Sequence, residues 1–111
     1  MKSPMKALTA MALACAIGLP AAYANCRLPP APSKIPDGAT ATQQQMLTAM
    51  QTIKEYNRDV KTYLHCLDFE VRQNLMSSDA QVSLHNAAVD KLQQIAAQFN
   101  KQVVIFKSKH S

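Results

Sequence analysis

The seventy-three residues from Ala39 to Ser111 contain neither proline nor glycine. The fourteen before them, "NCRLPPAPSKIPDG" from Asn25 to Gly38, hold Pro29, Pro30, Pro32 and Pro36 and end in an Asp-Gly turn. Helix interiors select against both breakers, whereas the hairpins of a β architecture need them, so the long tract reads as helix and the short one as an extended strap.

Periodicity supports that division. From Met46, the residues Met46, Met50, Ile53, Asn57, Val60, Leu64, Leu67 and Val71 recur at spacings of four and three, and all but Asn57 are apolar. A neighbouring register, Ala49, Ile53, Tyr56, Val60, Tyr63 and Leu67, is apolar throughout, so this helix has a wide face that suits more than one neighbour. A second stripe runs Val82, His85, Val89, Leu92, Ala96, Phe99, Val103 and Phe106. It continues through "QVVIF", Gln102 to Phe106, whose strand-like composition is overridden by the three-four spacing. Between the stripes lies "MSSDAQ", where Ser78 and Gln81 fit a capping box and Asp79 complements the helix dipole. At the first helix, either Thr40 with Gln43 or Thr42 with Gln45 fits the same signature.

These signals predict an all-α fold, an antiparallel two-helix hairpin over residues 40–107 with helices at about 41–76 and 79–107. Residues 25–39 form its N-terminal strap, and 108–111 a frayed tail. At about 1.5 Å rise per residue the arms are roughly 54 and 43 Å long.

The first twenty-four residues have a different character. Lys2 and Lys6 precede an apolar run from about Ala7 to Leu19, followed by Pro20 and the small-residue site Ala22-Tyr23-Ala24. That order is a secretory signal peptide's, and the run is too short to span a bilayer. Cleavage is expected between Ala24 and Asn25. Lipidation at Cys15 or Cys26 fits poorly with the residues that precede each. Cleavage removes Cys15 and leaves Cys26 and Cys66, an even pair that in an exported chain reads as a disulfide. It also removes two lysines, leaving ten basic against seven acidic residues, a net charge of +3 that gives no basis for a nucleic-acid partner.

A Cys26–Cys66 bond is geometrically reasonable. The helix covers about 36 Å from Thr42 to Cys66, and sixteen residues of polyproline-like chain span at most about 50 Å, so the strap can run back along the helix. Proline lowers the entropy lost on docking, and Leu28 and Ile35 offer apolar side chains to the groove. A ring followed by Asn recurs in "YNRDV" at Tyr56, "HNAAV" at His85 and "FNKQV" at Phe99. Because a polyproline-like strap has no internal backbone hydrogen bonds, Asn57, Asn86 and Asn100 are candidate donors to its carbonyls.

The leader, "NC" at the mature start, the strap ending "IPDG", "YN" and "YLHCLD" in the first helix, and "HNAAVDKL" leading to "AQFNKQV" resemble a family of small exported proteobacterial helical proteins. The resemblance covers nearly the whole mature chain. It implies a periplasmic or secreted location and a helical domain, and it carries no catalytic residues. The family would have Tyr more often where His85 stands.

Chemistry is sparsely signalled. Nucleophile, phosphate-loop, C-x-x-C and haem-attachment motifs are missing, and the acid pairs Asp68 with Glu70 and Glu55 with Asp59 read as diverging or as solvated beside Arg58, Lys61 or Arg72. The expectation is therefore a non-enzyme without a cofactor, a binding or structural module that dimerises or receives a partner helix. Two alternatives stand beside it. Lys101, Lys107 and Lys109 would serve a membrane-surface role, and His65, His85, His110, Met46 and Met50 have the ligand types of a periplasmic copper carrier.

Overall fold

The computed structural model describes residues 26–111, so the expected signal peptide and the expected cleavage pair Ala24 and Asn25 lie outside the described residues. The chain forms two antiparallel helices, α1 (Gln43–Arg72) and α2 (Ser78–His110), preceded by an extended strap tied to α1 through the Cys26–Cys66 disulfide. There is no strand among the described residues, and no helix there is long and apolar enough to cross a membrane.

Of the two capping boxes open to α1, the Thr42–Gln45 pair forms. Gln45 N–H donates to Thr42 Oγ1 at 3.0 Å and Thr42 N–H donates to Gln45 Oε1 at 2.8 Å, so the helix starts at Gln43 rather than near residue 41. At the other end α1 stops at Arg72, about four residues short of the expectation. Asn74 takes φ 61°, the amide of Leu75 donates to the carbonyl of Glu70 and that of Asn74 to Val71. This is a Schellman close, with Asn in the left-handed position usually held by Gly.

For α2 the cap is Ser77, whose Oγ accepts from the amide of Ala80 at 3.1 Å, and the Ser78–Gln81 box is displaced by one residue. The predicted frayed tail is also corrected. Helix α2 continues to His110, whose ring stacks on Phe106 at 4.0 Å and whose Nδ1 meets the Phe106 carbonyl at 2.9 Å.

The helices bury a different register from the longest stripes. In α1 the buried positions are Met46, Tyr56, Val60, Tyr63, Leu67 and Glu70, which follow the neighbouring register, while Met50 is exposed. In α2 they are Ala88, Ile95 and Phe99, and Val82 is exposed. Two clusters result. Tyr56, Val60, Tyr63, Leu67, Ala88 and Ile95 fill the middle of the hairpin, and Ala41, Met46 and Phe99 fill its open end. Ile35 of the strap packs against both.

Along the strap Cys26, Pro29, Ala31, Pro32, Ile35 and Pro36 are half-buried and Gly38 is buried, so one broad side of the extended chain lies on its support. Leu28 is 59% exposed, so the apolar contribution expected of it comes from Ala31 and Ile35 instead. Gly38 ends the strap against α2. Its amide donates to Gln102 Oε1 at 2.8 Å, and a Cβ there would meet the Gln102 carbonyl oxygen and lie 2.9 Å from the Phe106 nitrogen.

Candidate functional site

Two places on this frame offer more than packing. The first is the corner where the strap meets α1. Cys66 and Glu70 stand one helical turn apart, so their side chains emerge on the same side of α1. The disulfide brings the head of the strap to that side with a Cα–Cα distance of 5.4 Å. The sulfurs of Cys26 and Cys66 and a carboxylate oxygen of Glu70 all lie within 4.8 Å of one another. Glu70 is 1% exposed, and neither of its carboxylate oxygens has a hydrogen-bond partner among the described residues.

Reading the acids as pairs missed Glu70. Its neighbour Asp68 behaves as expected, exposed and 2.8 Å from Arg72, and Arg58 pairs loosely with Asp59 at 3.9 Å. The signal that could have found Glu70 was present. Carrying the register Tyr56, Val60, Tyr63, Leu67 one step further arrives at residue 70, a core position occupied by an acid.

The second place is the open end of the hairpin. There Met46, Leu47 and Met50 of α1 face Phe99, Val103 and Phe106 of α2 across an apolar groove of about 210 Å³. Leu47 and Met50 remain substantially exposed beside it. A wider groove of about 510 Å³ lies between the strap, at Pro32, Ile35 and Pro36, and the first turns of α1, with Gln44, Gln45 and Thr48 on its rim.

The asparagines do not serve the strap. Asn86 and Asn100 are exposed and Asn57 is half-buried, and among the described residues no hydrogen bond joins any of their amides to the strap. Asn86 meets His85 at 3.4 Å instead, and the strap's long-range hydrogen bond is the one from Gly38 to Gln102. A polyproline-like chain at the surface can leave its carbonyls to water, which removes the need for dedicated donors.

The copper-type residues are dispersed. Among the described residues the group of His, Cys, Asp and Glu close enough to share an ion is Cys26, Cys66 and Glu70, and its two sulfurs are spent on each other. His65 is exposed, His85 half-buried, and His110 is engaged with Phe106. Tyr56, 5% exposed in the central cluster, has its phenol pKa raised above the ordinary value by burial.

Fold and corner together define a class, a disulfide-stapled helical hairpin in which a polyproline-like strap is a structural third element. No family model, curated protein or solved structure matches the chain.

Proposed function

We propose that this protein is an exported, non-enzymatic helical module that works by contact with another protein, either a second copy of itself or a partner helix. The apolar groove at the open end of the hairpin carries this reading. The strap covers one side of the two-helix layer, and at the open end Leu47 and Met50 stay exposed beside Met46, Phe99, Val103 and Phe106. A groove between two helices is the form in which an amphipathic third helix, or a second hairpin completing a four-helix bundle, is received. The disulfide and the leader-like N-terminus support export to the periplasm or beyond, where such a bond persists.

Sedimentation analysis of the purified chain tests the self-association arm, and crosslinking in the intact envelope tests the partner arm. Met50→Asp should abolish the assembly or the crosslink while leaving helix content unchanged. A monomer that crosslinks to nothing would overturn the proposal.

A second reading rests on the end of α2. Lys101, Lys107 and Lys109 are exposed and form no salt bridge among the described residues, close to Val104, which is 68% exposed. Binding to anionic vesicles that weakens as salt is raised would favour a membrane-surface role.

A further inference from the structure

We propose that Glu70 is the receptor for the chain's own processed amino terminus, the α-ammonium of Asn25 created by cleavage after Ala24. The proposal rests on the reading of an exported, cleaved chain.

A buried carboxylate without a partner is costly in its ionised form, and such groups are ordinarily paired or hydrogen-bonded. Glu70 is the only buried charged residue among those described, and neither salt bridge there includes it. Both of its oxygens lack a hydrogen-bond donor among those residues. A metal ion suits the corner badly, because its two sulfurs are bonded to each other and leave one carboxylate as the anionic ligand.

The next group along the chain is different. A Glu70 carboxylate oxygen lies within 4.8 Å of the Cys26 sulfur, and Asn25 directly precedes Cys26 in the chain. One peptide unit separates the two residues, a Cα–Cα step of about 3.8 Å, so chain connectivity alone keeps the Asn25 nitrogen near Cys26. In the precursor that nitrogen is an uncharged amide with a single N–H. Hydrolysis of the Ala24–Asn25 bond adds water across it, leaving a carboxylate on Ala24 and an amine on Asn25 that takes up a proton. The resulting ammonium offers three donors and a full positive charge to a carboxylate that has two free oxygens. The corner therefore distinguishes the processed chain from its precursor, and the Cys26–Cys66 bond holds the new terminus in place.

The experiment uses the disulfide-bonded chain beginning at Asn25, with and without an α-acetyl group, in the native sequence and in the Glu70→Gln variant. Acetylation should lower Tm by at least about 5 °C in the native sequence and leave the variant nearly unchanged. An equal loss in both, or no loss in the native sequence, would overturn the pairing. If Glu70→Gln does not fold, a chain that retains Ala24 replaces it, since its amine is displaced by one residue and acetylation should no longer matter; a continued loss would again overturn the pairing. Mass spectrometry of the exported protein separates the two premises. A terminus other than Asn25 defeats the cleavage reading and the pairing with it, whereas an Asn25 terminus with no acetylation effect defeats the pairing alone.

Discussion

Gly38 shows how much one missing side chain decides. Its place against α2 leaves no room for a β-carbon between the Gln102 carbonyl and the Phe106 amide, and those are backbone atoms that cannot swing aside. Gly38→Ala should therefore push the end of the strap off α2 and break the bond to Gln102, a cost of about 1–3 kcal/mol by analogy with overpacked cores, read as a lower urea midpoint. Tyr56 gives a second test at this scale. Burial raises its pKa, so the neutral phenol is favoured in the folded chain and the contribution to stability is complete below the unfolded value of about 10. It is lost as pH rises from there through the higher folded value. In a chain starting at Asn25 and carrying Tyr63→Phe, Tyr56 is the sole tyrosine, and its absorbance titration should fall above that of free tyrosine and coincide with alkaline unfolding.

The elements are bounded by side chains whose role depends on which neighbour reaches them first. Thr40 and Thr42 each had a glutamine three residues on, and the winner is Thr42, where both halves of the box close. Thr42→Ala should cost about 1 kcal/mol, measurable by chemical denaturation. The close of α1 places Asn74 in a left-handed conformation, so Asn74→Val should destabilise by about 1–2 kcal/mol while Asn74→Gly is tolerated, again by denaturation. Helix existence and order were legible because two long tracts repeat apolar residues at helical spacing. The buried register was less so, because α1 carries two apolar registers side by side and composition does not rank them. What ranks them is the geometry of three packed elements: the strap and α2 together select the face through Tyr56, Val60, Tyr63 and Leu67. The end of α1 was obscured for a related reason. Leu75 and Met76 extend the apolar run, yet an Asn just past the last turn stops the helix as Gly would.

At the scale of the whole molecule, a core drawn from two helices and a strap is thin, and the described residues bury only nine apolar side chains in it. The Cys26–Cys66 bond closes a sequence separation of 40 residues and, in the loop-entropy account, contributes about 4 kcal/mol, a large share of the stability of so small a domain. Reduction should lower Tm sharply, followed by circular dichroism with and without reductant; an unchanged Tm would contradict the strap's structural role. The pairing was readable from the two cysteines that remain outside the expected leader and from a distance calculation, whereas Glu70 was obscured because an acid two residues from another acid resembles ordinary surface charge. The strap is held at both ends, by the Cys26–Cys66 bond on α1 and by Gly38 on α2, so its length is matched to the distance between two fixed points. Residues inserted at Ser33 must bulge outward or lift Ile35 from the two clusters it touches, so length variants there should lower Tm. The segment is a brace cut to length, where a tether would accept slack.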